Sequence, residues 1–294
     1  MSGLRKEVWI KQLMNKYYPD SSFLKYTKDF SPLVENDAIN MTEAGVDPNV
    51  LINNTTYPIP TSIRIDSPIR IELDLFETEN TLVRSPEVIE YSYDQLENVL
   101  MGHRNTLRST TAEKAAHAFA PYEDTLKTPV ILTSGTALAD GSRLRLTMSD
   151  ILLMKERYDN IDIPLEDRYL VLHPKHISDL ILEDLKAFKD ITDIVNGQPK
   201  RFAGFNILQF SRPATYNLTT KQKKAFGAVA GANDTFCSFV FHKEEVMKAD
   251  GAVKMYRRDN DPEERGTIVG FDKRFIAVPI RNQAIGAILS AKPA

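Results

Sequence analysis

The stretch Ile63–Leu75 alternates without a break. Odd positions carry Ile63, Ile65, Ser67, Ile69, Ile71, Leu73 and Leu75, and even positions carry Arg64, Asp66, Pro68, Arg70, Glu72 and Asp74. Side chains in an extended chain have period two, so the two sets lie on opposite faces of a strand. At about 3.3 Å per residue the stretch reaches roughly 43 Å, well beyond the usual strand of about five or six residues. A ribbon of that length either crosses its own domain or leaves it and buries its apolar face on another chain. Pro68 suits an edge or a bulge rather than the centre of a sheet.

The flanks favour leaving. Residues 30–54 are rich in Asn, Asp, Gly and Pro, with one short alternating piece over Ala38–Thr42, and Pro58 and Pro60 mark irregular backbone just before the ribbon. Residues 36–81 are therefore expected to form a two-armed loop. A weak strand runs out, an irregular tip spans Gly45–Pro60, and the long strand returns. The odd face is expected to lie on a neighbouring subunit, so that Ile71→Asp would block assembly and leave the monomer folded.

Charge along the chain adds a second hint. The formal net charge is −3, which argues against general nucleic-acid binding. Residues 1–28 nevertheless hold six basic side chains (Arg5, Lys6, Lys11, Lys16, Lys25, Lys28) against Glu7 and Asp20. Residues 29–100 hold fourteen acidic side chains against Arg64, Arg70 and Arg84. Complementary patches of this kind set register and partner choice between subunits. Cys237 is the single cysteine, so no intrachain disulfide and no Cys-based zinc site is possible. No apolar run is long enough to span a membrane, and the charged N-terminus lacks the pattern of a signal peptide. The expectation is a soluble chain made inside a cell.

Elsewhere, helical spacing over residues 4–18 (Leu4, Val8, Trp9, Leu13, Met14, Tyr17, Tyr18) predicts a basic amphipathic arm that Pro19 ends. Ser92–Phe119 is predicted to be a long helix of roughly 40 Å. Thr147, with Asp150 three residues on, predicts a capped helix start. Tyr169–Leu172 reads as a buried strand running straight into a helix at Pro174, which is an α/β step. Strands are predicted over Phe205–Phe210, 236–242, 253–258 and 267–280, with KEEVMKADG (243–251) as a helical turn and Ala284–Leu289 as a last apolar stretch.

The search for chemistry returns no catalytic, cofactor-binding or metal site. His173 and His176, in HPKH, sit three apart at the strand-to-helix junction. Zinc sites want three or four ligands, and no further partner stands at a recognisable spacing. A capping histidine and a helix-surface histidine is the favoured account, and a metal-dependent hydrolase using the pair is the alternative from another class. Cys237 lies in an apolar strand and is expected to be a buried hydrophobe. Asp66, Glu72 and Asp74, and Glu77 with Glu79, could be mistaken for paired glycosidase carboxylates, but they lie on or beside the polar face of a ribbon. RRDNDPEERG (257–266) is expected to be a charged turn. No nucleotide-binding glycine motif or serine-nucleophile elbow is present.

The order of these elements resembles tailed-bacteriophage major capsid proteins of the Hong Kong 97-type fold. LVLHPKHISDLILEDL, KRFAGFNILQF, AFGAVAG followed by FVFHKEEV, and GTIVGFDKRFIAVPIRNQAIGAI are similar to strings of that family, in the same order. The resemblance implies an α+β fold. It would comprise an N-terminal arm (1–35), an extended loop (36–81), a peripheral domain with a spine helix (82–130, plus returning strands near 253–290) and an axial domain (131–252). It implies a shell protein and no enzyme, which forms hexamers and pentamers of an icosahedral phage head around double-stranded DNA. Assembly in the host cytoplasm and residence in the virion follow. So do a separate scaffold protein, a portal and decoration proteins as partners, and at most weak, non-specific contact with packaged DNA. Encapsulin-type compartments share the fold and are the runner-up. Some relatives crosslink a loop lysine to a neighbour's asparagine; residues 36–81 contain no lysine, so no such bond is expected. The expected assembly interface is Ile63, Arg64, Ile65, Ile69, Arg70, Ile71, Glu72, Leu73, Asp74 and Leu75 of the ribbon, with Trp9 of the arm.

Overall fold

The computed structural model describes residues 23–43, 55, 58, 67–183, 192–193, 198–199 and 201–293. The helix expected over residues 4–18, with Trp9, and the first part of the ribbon, with Ile63, Arg64 and Ile65, lie outside the described residues.

In chain order the first elements are Lys28–Asp29 (β1), Ala38–Glu43 (β2), Ser67–Glu72 (β3), Asp74–Glu77 (β4) and Thr81–Arg84 (β5). Then come the long helix Ser85–Phe119 (α1), Val130–Leu132 (β6), Met148–Asp159 (α2), Arg168–Leu172 (β7) and Pro174–Glu183 (α3). Short strands follow at Thr192–Asp193 (β8), Gln198–Pro199 (β9) and Arg201–Phe202 (β10), then Phe205–Gln209 (β11) and Thr215–Asn217 (β12). Asp234–His242 (β13), Val246–Asp261 (β14), Gly266–Pro279 (β15) and Ile285–Leu289 (β16) complete the chain.

A mixed sheet of seven strands, ordered β10-β11-β7-β13-β16-β6 with β12 beside β13, forms one half of the body. Every residue of β7 and of β16 is buried, as a sheet covered on both faces requires. On one face Leu170, Leu172, Val240 and Ile288 pack on Ile151, Met154 and Tyr158 of α2 and on Ile177 and Leu180 of α3. On the other, Val171, Phe239, Phe241 and Leu289 meet Ala112, Ala115 and Phe119 of α1, with Phe23 wedged among them. The cap on α2 forms as its spacing predicts. The Asp150 N–H donates to Thr147 Oγ1 at 3.2 Å, and the Thr147 N–H donates to Asp150 Oδ2 at 2.9 Å.

The second sheet is built on the long hairpin β14–β15, with β1 on the outer edge of β14 and both β4 and β5 on the outer edge of β15. Alternation along β15 sends Val269, Phe271, Phe275 and Ala277 toward α1 and the main core, and Ile276 and Val278 to the opposite face. On β14 a bulge between Asp250 and Val253 swaps the faces. Before it Met247 and Ala249 lie away from the helix, and after it Val253 and Met255 lie toward it.

Three sequence expectations are corrected. Helix α1 begins at Ser85 rather than Ser92, and Pro86 fits because the first turn needs no N–H from it. Only Lys243–Glu245 of KEEVMKADG is a turn. Val246 onward is strand because Val246, Met247 and Ala249 are all fully buried in the hairpin. Ile285–Leu289 does not return to the hairpin sheet but pairs with β13 and β6 in the seven-stranded one.

Candidate assembly surface

The ribbon is not one strand. It breaks at Leu73, where β3 pairs with β2 and β4 pairs with β15. Leu73 is 3% exposed, packed with Ile39, Met247, Ala249 and Ile276 of the body. It reaches that depth because residue 251 is glycine. A Cβ there would stand 2.9 Å from Leu73 Cδ2 and 2.6 Å from Arg274 Cβ. The Leu73 N–H donates to Asp37 O at 2.9 Å, and Asn36 and Asp37 take left-handed conformations (φ 48° and 60°) just before β2 starts. The Arg274 guanidinium spans this base, 3.5 Å from Leu73 O and 3.6 Å from the Asp37 carboxylate.

The expected interface residues therefore separate. Leu73 is a correction: its side chain belongs to its own subunit's core and has no area to offer a neighbour. Past the break the inward phase shifts to even positions, so Phe76 packs on the core while Leu75 is 44% exposed. Asp74 is half-buried and holds Lys114 of α1 at 3.0 Å. On β3, Ile71 is half-buried against the Ile39 cluster, while Ile69 is 37% exposed. Arg70 and Glu72 face solvent 3.6 Å apart, an exposed pair worth about 0–1 kcal/mol. Beyond this base, β2 and β3 pair only with each other among the described residues. A lone two-stranded ribbon is at best marginal in water.

The histidine pair is also rearranged. His173 caps α3 as expected, accepting from the Lys175 N–H at 3.2 Å. His176 is not on the helix surface but wholly buried. Its Nδ1 lies 2.6 Å from Ser238 Oγ of β13, and its Nε2 lies 2.7 Å from Ser290 Oγ just past β16. Burial, reinforced by the Arg143 guanidinium and then His173, pulls the His176 pKa down to about 3. Burial pulls His173 down to about 4. Alongside, Arg143 is fixed by the buried Asp179 carboxylate, Nη2 to Oδ1 at 2.9 Å. With both ring nitrogens of His176 engaged, no lone pair faces an ion. Among the described residues no group of three or more His, Cys, Asp or Glu could hold a metal. Cys237 is fully buried, and burial pushes its thiol up to about 12, so it is inert. Sequence reasoning missed the serines, because Ser238 and Ser290 lie far from His176 in the chain and in no motif.

No family model matches the chain, and no curated protein does. Solved structures do. The capsid of cyanophage P-SCSP1u matches with a TM-score of 0.66 at 16% identity, over 94% of this chain and 90% of that one. A structure of Mycobacterium phage Che8 matches with a TM-score of 0.65 at 11% identity, over 93% and 92%. A virus-like particle from Pyrococcus furiosus matches with a TM-score of 0.60 at 11% identity, over 97% and 99%. The chain has the α+β fold of tailed-phage capsid subunits, the Hong Kong 97-type arrangement that the order of its elements implied.

Proposed function

We propose that the chain is a major capsid protein that closes into an icosahedral head of hexamers and pentamers around double-stranded DNA. The carrying observation is the β2–β3 ribbon. It stands on a capsid-subunit fold, is anchored to its body by Leu73, Ile39 and the inner part of Ile71, and has no third strand among the described residues. Such a ribbon gains its stability by lying on another copy. Burying Ile69 and the exposed part of Ile71 contributes at most about 1.5–3 kcal/mol per side chain, and a closed shell repeats the contact at every subunit.

In this reading residues 1–35 are the arm, 36–81 the extended loop, 82–130 with the returning part of the hairpin from residue 253 onward the peripheral domain, and 131–252 with β16 the axial domain. The interface is formed by Ile63, Arg64, Ile65, Ile69, Arg70, Ile71, Glu72, Asp74 and Leu75 of the loop, with Trp9 of the arm. The protein works without catalysis. It assembles in the host cytoplasm with a separate scaffold protein and a portal, accepts decoration proteins, and touches packaged DNA weakly. Expression alone and with the scaffold, followed by negative-stain imaging and light scattering, tests this. Closed shells or capsomers are expected, and a chain that stays monomeric under both conditions sinks the proposal.

A further inference from the structure

A cleft of about 450 Å³ lies between α1 and the turn that joins β4 to β5, lined by Glu77, Glu79, Thr81, Gly102, His103 and Thr106. Two independent features mark it. His103 is only 6% exposed, yet its Nε2 has no hydrogen-bond partner among the described residues. Buried polar atoms in native proteins are seldom left so. The ring is held from behind by Phe271, 5.3 Å between centroids. Secondly, Glu77 and Glu79 are exposed at the mouth, and neither forms an ion pair among the described residues, whereas Asp74 has Lys114 nearby. Gly102 leaves the floor open, since a Cβ there would meet nothing within 4 Å.

Two carboxylates, an imidazole nitrogen and threonine hydroxyls make a set rich in acceptors, and what such a set lacks is a cation with several N–H donors. Residues 1–22, outside the described part, carry Arg5, Lys6, Lys11 and Lys16 against Glu7 and Asp20. That arm joins the body at Phe23, which packs on Phe119 at the far end of α1, 5.9 Å between ring centroids. From Phe119 back to Gly102 the helix covers only about 26 Å, and 22 residues span at most about 75 Å extended, so the arm is about three times as long as the stretch of α1 between its root and the cleft.

We propose that this cleft seats a basic side chain from the 1–22 arm of a neighbouring copy, its N–H groups donating to Glu77, Glu79 and His103 Nε2. The inference rests on the shell reading and names where the arm docks. It is tested in assembled full-length protein, using Glu79→Cys paired with Arg5→Cys, Lys6→Cys or Lys11→Cys, oxidised and run on a non-reducing gel. At least one pair is expected to give a covalent ladder of dimers and larger species that each single cysteine lacks. In the charge arm of the test, Glu77→Arg with Glu79→Arg is expected to cut particle yield about tenfold, and reversing the charges of Arg5, Lys6 and Lys11 should restore it. Shells that form with no ladder and no effect of reversal overturn the inference alone. A crosslink confined within monomers overturns it too. Wild-type protein that forms no shells overturns both it and the shell reading.

Discussion

Strands β7 and β3 are both short, extended and rich in branched apolar residues, yet they end in different environments. β7 is buried at every position, with Tyr169 and Val171 on one core cluster and Leu170 and Leu172 on the other. β3 buries only the foot of one face, and its burial fades from Leu73 through Ile71 to Ile69. A continuous apolar run closes the account within one chain, because both faces find helices or neighbouring strands. Strict alternation leaves one face wet and makes the other depend on whatever happens to lie beneath it. In β3 that support runs out at the edge of the subunit, and this boundary between core and ribbon separates folding from assembly.

The contrast can be broken or sharpened by substitution. Phe239→Ala, in the doubly covered sheet, should cost about 3–5 kcal/mol, seen as a lower denaturant midpoint for the unassembled subunit. A cost below 1 kcal/mol would mean that this sheet is not the stability centre. Leu73→Ala should cost about 2–4 kcal/mol, because the leucine belongs to the body. If only assembly suffers, the boundary lies nearer the body than placed here.

Acid provides a third probe. The ordinary histidine value is 6.5, and burial holds folded His176 at about 3, so the unfolded chain takes up the proton first. The stability is full above pH 6.5 and is lost as pH falls from there toward 3. Between pH 7 and pH 5 the wild type should lose about 2 kcal/mol more than His176→Gln, whose amide can still bond both serines. Equal losses in denaturation curves at the two pH values would remove His176 as the cause. The smallest effect on the subunit is expected from Ile69→Asp. Its unfolding midpoint should stay within about 0.5 kcal/mol of wild type while shell yield collapses. Ile71→Asp is the poorer probe, since Ile71 touches the body's own cluster and a charge there disturbs both sides of the boundary.

Much of the architecture was legible locally. The Thr147–Asp150 cap, the strand-to-helix step at Pro174, the ribbon pairing of Ala38–Thr42 with the returning strand, and the terminal strands all follow from spacing and turn chemistry within a few residues. What was not legible depends on distant partners. Arg168 looks like a polar residue ahead of a strand, yet it is buried with its guanidinium 2.7 Å from Asp159. His176 sits beside the apolar stripe of α3, and nothing local says that two serines from other strands will close around it. In the candidate site, the alternation revealed which side chains share a face, but not which of them rest on the body.

The sequence by itself determined that apolar and polar side chains alternate through Ile63–Leu75, and within the described residues that pattern gives the strand Ser67–Glu72 two unlike faces, because period two is a property of the extended chain alone. Where the ribbon stops belonging to its own subunit was decided only in three dimensions. Gly251, on a bulged strand far along the chain, lacks the Cβ that would keep Leu73 out, whereas Ile71 is only half-buried against the same cluster and Ile69 is exposed. Depth of burial is set by the neighbours that the fold brings close, so no reading of the ribbon alone could have located the break.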